Sequence, residues 1–182
     1  MNKHQCPRCI QLSKQLRKLW EQHVYWTRFF IISTAADLGD LKPVTNRLLR
    51  NPMDFAQLLA PFYGDSIAEE FEMLFTQHLL IAADLVNAAK NQDKDKADQS
   101  RRAWYQNADE IAVFLSEINP YWSNDVWRDL LHSHLEMTEM EAVLRLSGKY
   151  EKDIKIFDEI EEEALKMADY MTYGISRQFC LR

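Results

Sequence analysis

Apolar residues along this chain recur at alternating spacings of three and four, the pattern of helices that each bury one stripe against their neighbours. The first run, Leu12, Leu16, Leu19, His23, Trp26, Phe30 and Ser33, predicts helix from about Ile10 to Asp37. A broken stretch from Gly39 to Gly64 follows, with three of the five prolines, and short helices are expected in it, one capped by Asp54 after Asn51-Pro52. Ser66-Ile67-Ala68-Glu69 reads as a capping box opening a second long helix, with seam Ile67, Phe71, Leu74, His78, Ile81, Leu85 and Ala88. The charged run Asn91 to Arg102 reads as a solvated turn into a third helix, seam Trp104, Asn107, Ile111, Phe114 and Ile118.

Asn119-Pro120 ends that helix, since the residue before a proline is pushed out of the helical region. Ser123 is placed to cap a fourth helix, with seam Trp127, Leu130, His134, Met137, Glu141 and Leu144, and Gly148 suits the left-handed position after its last turn. The fifth seam reads Ile154, Phe157, Glu161, Ala164, Ala168, Met171 and Ile175. The fold class that follows is all-α: an up-and-down bundle of four to five long helices with a short irregular helical insertion after the first. Residues 10–182 form one bundle domain behind a flexible tail, 1–9.

Composition agrees: only 4 glycines and 5 prolines interrupt 182 residues, and 47% hydrophobic content argues against disorder. A net charge of −6 gives no basic footprint for nucleic acid. The longest apolar run, Phe29 to Ile32, is too short to span a membrane. Three cysteines make no disulfide framework and the start is polar, so the chain is expected in the cytoplasm. Self-association into a homo-oligomer stays open.

Each long seam carries a polar residue near its middle: His23, His78, Asn107, His134 and Glu161. Counting outward from the turns puts His78 level with Asn107, Asn107 with His134, and His134 with Glu162, next to Glu161, because each helical residue rises about 1.5 Å. His23 is placed less tightly, across the long connection. One reading is a mononuclear metal site: three neutral imidazoles, the Glu161 carboxylate, and Asn107 as ligand or supporting partner, around one divalent zinc, iron or manganese ion. A second is a hydrogen-bonded polar layer that only fixes helix register, as in a structural or interaction protein. A small-ligand or catalytic pocket is the third.

Other chemistry finds less support. A carboxylate-bridged di-iron bundle needs Glu-x-x-His on two helices, and the nearest approach is Asp129-x-x-His132. His132 and Glu136, four apart, read as a solvated surface pair. Cys6-Pro7-Arg8-Cys9 is half a zinc site with only His4 near it and Cys180 at the far end, and it reads as part of the tail. Trp20, Trp26, Trp104, Trp122 and Trp127 read as bundle filler. No Gly-rich phosphate loop or nucleophile elbow is present, so kinase activity is disfavoured.

The segments Leu19-Trp20-Glu21-Gln22-His23-Val24-Tyr25-Trp26-Thr27-Arg28, Asn46-Arg47-Leu48-Leu49-Arg50-Asn51-Pro52 and Ile118-Asn119-Pro120-Tyr121-Trp122 resemble an uncharacterised family of small all-helical bacterial proteins common in spore-forming Firmicutes. The likeness runs from about Leu16 to Phe179. Some members carry the label acetylglutamate kinase, but the amino-acid kinase fold is an α/β sandwich with Gly-rich phosphate loops, and this sequence offers neither. The resemblance implies a helical bundle that binds metal, and no reaction.

Overall fold

The computed structural model describes residues 6–181, and every regular element among them is helical. The seven helices are α1 (Pro7–Ala35), α2 (Leu41–Leu48), α3 (Asn51–Tyr63), α4 (Asp65–Lys90), α5 (Lys94–Ile118), α6 (Asn124–Leu146) and α7 (Tyr150–Gln178). In sequence order α4, α5, α6 and α7 each pack beside the next, and α7 returns to lie along α1. Helix α3 packs on α4 and α1, and α2 lies on α1. The ring of long helices encloses a core of Leu16, Phe55, Phe71, Phe75, Leu115, Trp127, Leu135 and Met171.

The all-helical class stands, but the count of elements differs from the four to five expected. The short helices expected between Gly39 and Gly64 are present but regular, α2 and α3, and they take in all three prolines of the stretch, Pro61 inside α3 itself. Pro52 falls in the first turn of α3, where a missing N–H loses no helical bond. Asp54 is likewise inside that turn rather than capping it, and pairs with Arg50.

The charged run after Asn91 is mostly helix too. Asp93 caps α5 by accepting from the Lys96 amide at 3.1 Å, so the connection to α4 shrinks to three residues. Ser66 does not cap α4, which starts from Gly64 at φ +84°. Ser123 does stand at the N-cap of α6 with extended backbone, but its side chain makes no capping bond and its amide donates to the Tyr170 hydroxyl at 2.7 Å. Asn119 is extended, as the following proline demands, and Gly148 takes φ +69° after α6.

The expected tail boundary also moves. α1 begins at Pro7, with the Cys6 thiol accepting the Cys9 amide at 3.0 Å, and the Cys9 thiol faces the Leu181 carbonyl at 3.7 Å. The first turn of α1 thus packs against the end of α7; His4 lies outside the described residues. No helix among the described residues is long and apolar enough to cross a membrane.

One close approach sets the spacing at the far end of α7. Gly174 is buried, and a Cβ there would fall on the indole of Trp122, whose Nε1 donates to the Tyr170 carbonyl at 3.0 Å. Gly174→Ala is therefore expected to lower stability by about 1–3 kcal/mol despite alanine's better helix propensity, because the indole has to leave its bond to make room. Urea unfolding checks it; an unchanged or raised midpoint would contradict this packing.

Candidate functional site

Four of the five predicted site residues are buried in one polar layer: His23 on α1, His78 on α4, Asn107 on α5 and His134 on α6. Their helices deliver them there because each sits in the apolar stripe between large core residues, as His78 does between Phe75 and Leu79.

His78 is the best satisfied. Its Nδ1 donates to Asn107 Oδ1 at 2.8 Å, and its Nε2 accepts from Trp104 Nε1 at 3.1 Å. The Asn107 amide is oriented by its own Nδ2, which donates to the Leu74 carbonyl at 3.2 Å. That orientation makes Oδ1 the acceptor and settles the imidazole as the neutral tautomer with its proton on Nδ1. Trp104, Asn107 and the imidazole form a continuous buried chain of donors and acceptors.

His23 and His134 meet each other instead, with ring centroids 5.5 Å apart. Phe75 stacks on His23 at 4.9 Å and on His78 at 6.0 Å. The Nδ1 atoms of both His23 and His134 are buried without a hydrogen-bond partner. Burial pushes the His78 imidazole down to about 4, with Asn107 pulling against it, and His134 down to about 3, aided by neighbouring His78. His23 is pushed well below its ordinary range by burial first, then by His134 and His78. All three are neutral near pH 7.

Glu161 does not join them. It is only half-buried on α7, where its Oε1 accepts from the Tyr25 hydroxyl at 2.5 Å. That bond, then burial, pushes the Tyr25 hydroxyl up to about 12. The α7 stripe was read slightly out of phase: Asp153, Phe157, Ile160, Glu163 and Ala164 face inward, while Ile154 is 55% exposed. Glu163 is the buried carboxylate of this part of α7, with one oxygen unpartnered and its carboxyl raised by burial. His132 pairs with Asp109 on α5 at 2.8 Å, not with Glu136. Among the described residues no group of three His, Cys, Asp or Glu side chains is arranged to hold a metal ion.

A second polar cluster escaped the sequence reading. Arg28 on α1 donates to Glu141 Oε1 at 2.5 Å and to Asp153 Oδ1 at 2.7 Å, and Arg145 donates to Asp153 Oδ2 at 3.2 Å. Asp153 is fully buried and Glu141 almost so. Arg28 also lies over the Phe157 ring at 4.7 Å. Burial pushes the Glu141 carboxyl up to about 7, with Arg28 opposing. The only sequence signal was Glu141 in the α6 seam; its partners lie far along the chain.

Comparison of the chain with models of protein families, with curated proteins and with solved structures yields no match.

Proposed function

We propose that this chain is a structural or interaction protein whose buried histidine layer fixes the register of its helices. The observation that carries this reading is the commitment of both His78 nitrogens, one to Asn107 and one to Trp104. An imidazole binds a metal through a ring nitrogen lone pair, and the only lone pair of this tautomer, on Nε2, is taken by the indole. Glu161 is spent on Tyr25 at the bundle surface. A chain Trp104–His78–Asn107 rewards one alignment of α4 on α5, since a slip by one turn would leave three buried polar groups unpaired. The resemblance to the Firmicutes family fits the helical class and adds no reaction.

A second reading keeps the divalent ion, on the strength of the adjacent His23 and His134 with their unpartnered Nδ1 atoms. Two imidazoles are half of the four ligands that zinc takes in structural sites, so this reading needs further donors. Elemental analysis of protein purified without an affinity tag separates the two. The register reading expects less than a tenth of an equivalent of zinc, iron or manganese, roughly the level of non-specific carry-over where no closed ligand set exists. One equivalent that disappears in His134→Ala would overturn it in favour of the ion.

The same reading sets the cost of breaking the chain. Asn107→Ala leaves the His78 Nδ1–H buried without an acceptor, and is expected to lower stability by about 1–3 kcal/mol in denaturant unfolding. A loss below a few tenths of a kcal/mol would mean that the bond does not discipline the helices.

A further inference from the structure

Between α1, α2, α4, α5 and α6 lies a largely enclosed cavity of about 70 Å³. Its wall is nearly all apolar, with Ile31, Leu79, Leu85, Val86 and Ala142 contributing buried side chains. Of its polar residues, Thr27, Arg101 and Glu139 are hydrogen-bonded elsewhere, which leaves Thr138. It is 4% exposed, lines the cavity, and its hydroxyl has no partner.

That hydroxyl departs from the usual helical habit, as only the buried Thr34 hydroxyl near the end of α1 also does among the described buried threonines. A helical threonine ordinarily returns its hydroxyl to the carbonyl four residues back, as Thr27 does to His23, Thr45 to Leu41 and Thr172 to Ala168, each at 2.8 Å. Thr138 makes no such bond, so a buried donor and acceptor stands free beside an apolar space. Arg101 also lines the cavity, but its guanidinium is held by Glu139 at 2.8 Å and by Asp98 at 2.5 Å. No free cation therefore awaits an anionic ligand.

We propose that this cavity is a binding site for a small neutral aliphatic molecule with one hydrogen-bonding end, which Thr138 receives. A dry apolar cavity of about 150 Å³ accepts benzene, so half that volume suits roughly three or four non-hydrogen atoms, the size of a short alcohol. The site is separate from the histidine layer, sharing with it only Trp104, which also lines the cavity. Ligands this small bind at about millimolar strength, because so few atoms gain contacts.

The test is titration of the full chain with 1-propanol and, separately, with xenon, followed by methyl NMR. The site predicts saturable shifts confined to the methyls of Ile31, Leu79, Val86 and Val143 with either probe. Thr138→Val keeps the shape and removes the hydroxyl; it should weaken 1-propanol by about three- to tenfold, the worth of one hydrogen bond, and leave xenon unchanged. Ala142→Leu, which fills the space, should abolish both. Shifts that stay linear in concentration, or that spread over the surface, would overturn the site. So would a Thr138→Val protein that takes 1-propanol as tightly as its parent.

Discussion

Acidification from pH 7 to pH 5 is expected to strip the bundle of a large part of its stability, before its carboxylates as a class are protonated. His23, His78 and His134 are held neutral by burial, with His78 pushed to about 4 and His134 to about 3, against an ordinary 6.5 in the unfolded chain. Below pH 6.5 the unfolded chain takes up protons that the native state refuses, so stability falls as pH falls. Each histidine contributes about 1.4 kcal/mol per pH unit at full slope. Glu141 acts in the opposite direction. Its carboxyl, raised from 4.5 to about 7, binds a proton in the native state that the unfolded chain releases, and so stabilises the fold as pH drops through 7. Glu163, also raised, adds a contribution of the same sign nearer its ordinary range. The three histidines still outweigh Glu141, leaving a net loss of about 2–3 kcal/mol per pH unit below pH 6. Against a total of about 5–15 kcal/mol for a domain, that is a steep dependence. Urea unfolding at pH 7.0 and 5.0 measures it, and a midpoint that holds constant or rises would mean that a histidine of the layer is charged in the folded state.

The largest single-residue loss is expected at Arg28. Its guanidinium touches both Glu141 and Asp153, two carboxyl groups that the fold has removed from water. Truncating Arg28 to Ala leaves Glu141 without its partner and Asp153 with Arg145 alone. Removing one member of a buried ion pair costs about 3–5 kcal/mol, chiefly because the remaining charge stays desolvated. Arg145→Ala is expected to cost less, since Arg28 still holds both oxygens of Asp153, at 2.7 and 3.4 Å. Thermal or urea unfolding of the two variants checks the order, and an Arg28→Ala protein as stable as its parent would show that the cluster is hydrated.

How far the sequence revealed this arrangement varies from element to element, for physical reasons. The long helices α4 and α6 and the break at Asn119-Pro120 were legible because three-four spacing and proline geometry are local properties. Counting heights from the turn between α4 and α5 paired His78 with Asn107, and the two are hydrogen-bonded. That worked because a tight connection fixes the stagger of two antiparallel helices. The same counting reached Glu162 on α7 and took its seam neighbour Glu161, which instead lies half-buried against Tyr25. The acidic stretch Asp158 to Glu163 offers several carboxylates in under two turns, and spacing alone does not tell which faces inward.

The deciding contacts come from elsewhere in the chain. Asp153 can be buried at the start of α7 only because Arg28 and Arg145 meet it there, and no local pattern announces a partner 125 residues away. With Asp153 and Phe157 turned inward, Ile154 and Glu161 fall toward the rim. Trp104 was read as filler although it stands three residues before Asn107, on the same face of α5, where an indole N–H reaches whatever Asn107 reaches. Short helices were expected across Gly39 to Gly64, but the prolines hid how regular they are: Pro52 falls in the first turn of α3 and Pro61 is taken up inside it.

The central claim is that His78 is a neutral, doubly hydrogen-bonded member of a structural layer. Long-range nitrogen–proton NMR of the histidine side chains at pH 7 reads the tautomer and protonation state of each ring directly. The structure predicts that His78 carries its single proton on Nδ1, facing Asn107, with Nε2 unprotonated and accepting from Trp104, and that this pattern persists down to about pH 5. A proton on Nε2, an imidazolium at neutral pH, or a nitrogen shift that moves when a chelator is added would contradict it.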